Sequence, residues 1–361
     1  MKNNIGKIIG ISILIIIALV IVIAISAIIW YNIEIKAVEK GDGQVIRIEI
    51  QEGSGTAYIA SLLEENNVIK SANAMKIYAK LNNISNLQAG KYDLDNSEDL
   101  STLLSHIQNG EIVNEEIKIT FIEGKNMRSV AKAIAEKTVN TEEDVFELLE
   151  DEEYIDSLID KYWFLNEDIK NNDIYYALEG YLLPDTYIFE NEEVSVRTIF
   201  NVVLNYMDNF LTENKDKIKY NVHELMTLAS IAELEGVSDS DRKEIVGVLV
   251  NRLQNNMSLG SDVTSYYAFK VDMGERDLYA KELKTENPYN TRGPNMEGKL
   301  PVGPICNPSR EAILATLEYT ETDNLYFVAD KNKKVYFTKT YEDHLNIISE
   351  LKEKGLWYEY E

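Results

Sequence analysis

Residues 8–31, IIGISILIIIALVIVIAISAIIWY, form an apolar run with no charge and no polar face. A run of this length predicts a helix able to cross a hydrocarbon core of about 30 Å. A cleaved signal peptide has an apolar core of roughly 7 to 15 residues followed by a small-residue cleavage site, and this run outlasts it. Beyond it the pattern shortens. In VIRIEIQEG, Ile46, Ile48 and Ile50 alternate with polar neighbours as in a half-buried strand that Gly53 and Gly55 break. TAYIASLLEENNVI then places Ile59, Leu62, Leu63 and Val68 at helical spacing. The same order recurs in EIKITFIEGKNMRSVAKAIAEKTV. A shift of 71 residues lays Ile48 on Ile119, Ile50 on Phe121, Gly53 on Gly124 and Leu63 on Ile134. The weak repeat of strand, turn and helix fits either a duplicated module or two βα units of one sheet.

Between the repeats, LQAGKYDL (87–94) reads as a strand entered through a glycine turn, and DLSTLLSHIQNG (99–110) as a helix closed by Gly110. Residues 125–220 are mainly helical in pattern. EEDVFELLEDEEYID (142–156) is predicted as an exposed helix with Val145, Phe146, Leu148 and Leu149 as its buried stripe. EGYLLPDTYIFE (179–190) interrupts this region as a short strand or a loop lining a groove. Two helices are expected over 221–256, then loops and short strands, with LYFVADKNKKVYFTK as a hairpin. The fold class is α+β: an N-terminal transmembrane helix, a small βα module and a larger mixed α/β domain.

Length and charge sharpen this outline. A chain of 361 residues exceeds one ordinary core. Its 61 acidic and 36 basic residues give a formal net charge of −25, which repels nucleic-acid phosphates and excludes nucleic acid as a partner. Lys2 and Lys7 precede the apolar run, whereas Glu34 is the first charge after it, so the amino end is expected in the cytoplasm and the bulk outside. With Cys306 as its one cysteine the chain forms no internal disulfide. His106, His223 and His344 lie far apart without metal-ligand spacing, and no phosphate-cradling glycine loop occurs, so no metal or cofactor is expected.

One segment combines a well-specified helix with an ill-placed charge. NVHELMTLASIAELEG begins with Asn221 as N-cap, has Glu224 as the reciprocal partner and ends at Gly236, which suits a left-handed terminus. Leu225, Leu228, Ala229 and Ala232 form an apolar stripe, and Glu233 adjoins it on the last turn. Loss of hydration and the negative end of the helix dipole both favour a neutral carboxyl there. A neutral carboxyl suits general-acid catalysis at a glycosidic oxygen, although a glutamate at a helix end is more often solvated or ion-paired. Glu235 lies about 200° further round the helix and anchors the turn or meets solvent.

TFIEG, EGYLLPDTY, LASIAELEG, GVLVNRLQNNMSLGSDVTSYYAF, NPYNTR, GKLPVGPICNPS, LYFVAD and FTKTYEDH occur in the order and rough spacing of the membrane-anchored endolytic murein transglycosylase (YceG-like) family, which the chain resembles over roughly 44–350. The resemblance implies a cytoplasmic stretch (1–7), a membrane span (8–31), a linker (32–43), a LysM-like module (44–112), a catalytic domain (113–350) and a tail (351–361). It implies a bitopic protein of the cell membrane that cleaves peptidoglycan glycan strands internally, leaving 1,6-anhydromuramyl ends, with peptidoglycan synthases as further partners. The family's catalytic acid falls on Glu233. Leu234 and Gly236 replace its usual lysine and threonine, and Val263 and Val302 its usual prolines. Asp262 is the second carboxylate that a hydrolytic mechanism would need, or a turn former. Asn251 and Arg252 are placed to bond substrate or to hold loops, and a buried Arg252 is expected to need a carboxylate such as Glu235. Tyr267, Tyr289 and Asn290 match family positions near the groove, where aromatics and amides suit sugar faces and N-acetyl groups. The alternative is a glycan-gripping scaffold without catalysis.

Overall fold

A run with no polar face gives a helix whose every side can meet lipid, and in the computed structural model the chain opens with α1 (Lys2–Glu34). The structure describes residues 2–357 apart from 112, 114 and 115, and for residues 2–10 the backbone alone. The stretch Ile11–Glu34 is long and apolar enough to cross a membrane, and its most apolar part is not buried against the rest of the chain. Two compact units follow from the contacts, residues 1–115 and 116–361. The module boundary expected near 112 and the last residues of the expected tail lie outside the described residues.

In the first unit β1 (Val45–Ile50) is followed by α2 (Thr56–Glu65) and α3 (Ala72–Leu81), and then β2 (Gly90–Asp95) returns antiparallel to β1. Helix α4 (Leu100–Asn109) starts on the Asp99 cap and stops at left-handed Gly110, as its sequence predicts. Ile48, Ile50, Leu63, Tyr92 and Leu94 close the core. Helix α3, which the apolar pattern does not mark, is capped by Ser71 and buries Ala72, Ala74, Met75 and Ala79.

The second unit begins with β3 (Ile117–Phe121), α5 (Met127–Ala135), α6 (Glu142–Glu150) and α7 (Glu152–Lys161), and β4 (Asp185–Phe189) then pairs antiparallel with β3. The acidic stretch 142–156 is thus two helices rather than one, because Asp151 leaves the helical path and caps α7. The repeat is real in local structure, yet β1 and β3 belong to separate two-stranded sheets, so the one-sheet reading is wrong. A strand's apolar period reports the face it buries, not the strand it will pair with.

Then come α8 (Val196–Glu213), α9 (Val222–Glu235), α10 (Asp239–Gln254), α11 (Asp262–Ala268), the single turn α12 (Ala280–Leu283), α13 (Arg310–Leu317), the β5 (Tyr326–Ala329) and β6 (Val335–Thr338) hairpin, and α14 (Tyr341–Glu353). The hairpin matches its sequence signal; helices α11, α13 and α14 occupy ground expected to be loop and strand. Helix α9 is buried on all sides from Leu225 to Ala232, not along one stripe. Leu225, Met226 and Ala229 join the core beneath β3 and β4, while Leu228 and Ile231 join a second core with α10 and α11. Its N-cap works alone: Asn221 accepts from the His223 N–H and donates to Asp168, and no reciprocal Glu224 bond forms.

Candidate active site

The central position of α9 decides what surrounds its last turn. The Glu233 side chain is 7 % exposed. Its Oε1 accepts from Arg242 Nη2 of α10 at 3.2 Å, and its Oε2 from the Ser309 N–H at 3.0 Å and from the Ser309 hydroxyl. Ser309 is the N-cap of α13, so the carboxylate meets the positive end of one helix dipole as well as the negative end of its own. The loss of hydration expected from sequence is there, but it comes with donors and a positive helix end that the sequence does not show. Gly236 is also not left-handed; its φ is −98°. Glycine is needed there for another reason: a Cβ would stand 2.5 Å from Arg242 Cγ and 3.0 Å from Arg242 N.

A cleft of about 380 Å³ opens beside Glu233, lined also by Glu123, Lys125, Asn126, Tyr266, Tyr267 and Asp272. Gly124 holds φ +70°, and a Cβ on it would meet Leu234 Cδ2 at 3.2 Å and Glu233 Cγ at 3.5 Å, so the β3–α5 turn rests on the glutamate itself. One carboxamide knits the surrounding segments. Asn307 Oδ1 accepts from the Gly180 and Leu182 N–H groups at 3.0 Å each, and its backbone exchanges bonds with Gly124 and Lys125. Ser230 of α9 adds a hydroxyl that accepts from the Ile305 N–H at 3.0 Å. Four stretches distant in sequence, 123–126, 179–182, 230–233 and 305–309, thereby meet at one place.

Two further carboxyls lie close by. Glu179 is 1 % exposed; its Oε2 accepts from the Met127 N–H and the Tyr267 hydroxyl, both at 2.9 Å. Burial pushes it up to about 7 despite those donors. Glu235 accepts from the Ser261 hydroxyl at 2.5 Å, and burial, aided by the charge of Asp262, raises it against the pull of that hydroxyl and Arg292. It therefore anchors a turn rather than meeting solvent. The Cys306 thiol is buried and pushed far up, which leaves it inert. His223 is a core residue bonded to the Tyr181 hydroxyl and the Val302 carbonyl, both at 2.9 Å. Among the described residues no group of three His, Cys, Asp or Glu side chains is arranged to hold a metal ion.

Of the residues singled out from sequence, Glu233 and Tyr267 share the cleft. Tyr289 is buried behind Tyr267, with ring centroids 4.8 Å apart, and its hydroxyl accepts from the Tyr175 N–H. The other four face elsewhere. Asn251 donates to the Thr322 and Asn324 carbonyls. Arg252 donates to the Leu325, Ser258 and Leu259 carbonyls, so backbone oxygens satisfy it in place of the expected Glu235. Asn290, fully buried, donates to three carbonyls at 282–285 and accepts from Ser265. These three hold loops and do not reach the cleft. Asp262 is not in a loop but opens α11, and it pairs with Arg292 away from the cleft lining. Sequence reasoning passes over Arg242, Ser309, Asn307 and Glu179. The last three lie in GKLPVGPICNPS and EGYLLPDTY, segments whose order carries the resemblance while none of their side chains stands out as chemistry.

The model of the YceG-like family matches residues 48–350. An endolytic murein transglycosylase of Bacillus subtilis (strain 168) is 35 % identical over 314 residues, 86 % of each chain. One of Streptococcus pneumoniae (serotype 2, strain D39) is 32 % identical over 332 residues, 87 % of this chain and 59 % of its own. The crystal structure of a yceG-like protein from Listeria monocytogenes superposes with a TM-score of 0.60 at 33 % identity, covering 84 % of this chain and 99 % of that one. Four of the segments that give the sequence its family resemblance meet around Glu233, and a family match over most of the length accompanies them: the chain belongs to the YceG-like family.

Proposed function

We infer that the protein is an endolytic murein transglycosylase, a lyase that cuts the bond between N-acetylmuramic acid and N-acetylglucosamine within peptidoglycan strands. The observation that carries the reading is the nearly buried Glu233 at a cleft built from the family's own segments. Glu233 protonates the leaving glycosidic oxygen, the muramic acid 6-hydroxyl attacks the anomeric carbon, and the same carboxylate recovers that hydroxyl's proton. The bond to the leaving sugar breaks as the internal ether forms, leaving a 1,6-anhydromuramyl end with no water consumed. Arg242 and Ser309 aim the carboxylate and stabilise its charge once the proton has left. Asp262, paired to Arg292 outside the cleft lining, is poorly placed for the second carboxylate of a hydrolase.

The β1–α2–α3–β2 arrangement supports reading residues 44–112 as a LysM-like glycan-binding module. Helix α1 serves as a single-pass anchor in the cell membrane, with its basic flank holding the amino end in the cytoplasm and peptidoglycan synthases as lateral partners. The full chain in detergent, incubated with purified sacculi, is expected to release fragments with anhydromuramyl ends by mass spectrometry. Reducing ends would make it a hydrolase, and intact strands would make it a scaffold.

A further inference from the structure

Glu179 is a buried carboxyl with no part in the proton transfers at the glycosidic bond. Among the described residues no lysine or arginine lies within ion-pair distance of it, and burying a carboxyl in this way is costly. Its donors are the Met127 N–H, which opens α5, and the Tyr267 hydroxyl on α11, with Asn307 Nδ2 at 3.5 Å from the other oxygen. The residues just before Met127, from Glu123 to Asn126, line the cleft, and so does Tyr267. Ring contacts alone leave Tyr267 some freedom: it meets Tyr175 near-parallel at 5.7 Å and Tyr289 edge-on at 4.8 Å, centroid to centroid. The hydroxyl bond to Glu179 fixes where the ring sits within that cluster.

We propose that Glu179 is a positioning residue for glycan cleavage, holding the Tyr267 ring and the start of α5 as two fixed walls of the cleft that Glu233 lines. The proposal rests on the reading of that cleft as the cleavage site. Both donors go to Oε2, while Oε1 faces Asn307 Nδ2; a proton on Oε1 sets one donor against another and removes the charge that strengthens the two bonds at Oε2. The titratable and charged groups that bear on it are Tyr267, Tyr289, Tyr176, Arg128 and Cys306. With the carboxyl pushed up to about 7, the wall-holding form is lost as pH falls through neutrality.

The test uses the full chain in detergent with purified glycan strands, measuring kcat and KM across pH for wild type, Glu179→Gln, Tyr267→Phe and the double variant, with thermal unfolding of each. Gln keeps the size of Glu but carries no charge, and its N–H group faces a donor whichever way it turns: Asn307 Nδ2 on one side, Met127 and Tyr267 on the other. The expected result is a folded Glu179→Gln with kcat lowered roughly tenfold to a hundredfold, the scale of a displaced contact near the reacting groups. Wild type is expected to lose kcat as pH drops through about 7, a limb that Glu179→Gln lacks. The double variant is expected to be no worse than Glu179→Gln alone, since the two side chains act as one unit. A folded Glu179→Gln with wild-type kcat and pH profile overturns the proposal, as does full additivity with Tyr267→Phe. Should Glu179→Gln fail to fold, absence of the acidic limb in wild type overturns it. If wild type releases no anhydromuramyl ends, the reading of the cleft falls with it; if wild type cleaves and the variants match it, the positioning role alone falls.

Discussion

The strand pairs β1–β2 and β3–β4 are built alike and put to different use. Ile48 faces Tyr92 across the first pair and Ile119 faces Tyr187 across the second, all four buried. Each tyrosine hydroxyl donates to the carbonyl four residues upstream, Gln88 in one case and Leu183 in the other. Each first strand is followed by a glycine in the left-handed region, φ +79° at Gly53 and +70° at Gly124. The difference lies past the glycine. A Cβ at Gly53 would enter open space, whereas one at Gly124 would crowd Leu234 and touch Glu233. The same local device, set against another helix, becomes part of the cleft beside Glu233, so what a motif does depends on its neighbours rather than on the motif.

The contrast is sharpest at the acid itself. Glu233→Gln is expected to leave the fold intact and to abolish release of anhydromuramyl ends, a loss of about 10² to 10⁴ in rate measured by product mass spectrometry. Substantial cleavage by the folded variant would remove the assignment. Next come the paired glycines. Gly53→Ala and Gly124→Ala should each cost about 1–2 kcal/mol of stability for a side chain in the left-handed region. Only Gly124→Ala should also lower kcat, by roughly tenfold, because a methyl group crowds Leu234 beside the glutamate and shifts the turn that touches it. Equal activity in the two would mean that the turn does not support the acid.

Titration separates the units more gently. Glu179 is raised from 4.5 to about 7, so the folded chain holds its proton more tightly than the unfolded one. The stability it contributes is full below about 4.5 and is lost as pH rises to about 7, on the order of 3 kcal/mol. Glu235 is shifted the same way and adds to the decline. In the first unit the raised group is His106, bonded to Glu111 and Glu98 and partly exposed; its small contribution is present below about 6.5 and lost above the folded value. Hydrogen exchange read by mass spectrometry at pH 5 and 8 should show the second unit loosening more, and Glu179→Gln should remove most of that difference. The smallest effect is expected from the acidic residues before the two glycines. Glu123→Gln should raise KM severalfold from its place on the cleft, while Glu52→Gln should leave KM unchanged.

Much of this is legible in the amino-acid order alone. The shift of 71 residues finds a repeat that the backbone realises down to its glycine, and caps such as Asp99 and Gly110 mark helix ends correctly because capping is local chemistry. Outside the β5–β6 hairpin, pairing is not legible, since the partners of β1 and β3 lie beyond intervening helices. The site divides in the same way. Glu233 stands out because a charge at the end of an apolar helix conflicts with local preference. Glu179, Ser309 and Arg242 carry no such conflict in their own segments. Their meaning arises where chain separated by 76 residues, as in the Ser309 bond to Glu233, is brought together. Gly236 shows a half-success: glycine is required, for the approach of Arg242 rather than for a left-handed turn.

The stretch expected to be a linker is tied down along its length. The Ile35 carbonyl accepts from the Leu100 N–H, the Val38 and Glu39 N–H groups donate to the Asn96 carbonyl, and Gln44 exchanges bonds with Asn96. Strands and anchor are thus joined by a splint rather than a leash. The strands of the first unit are therefore held at a set distance from the end of α1, with little chain left free between them.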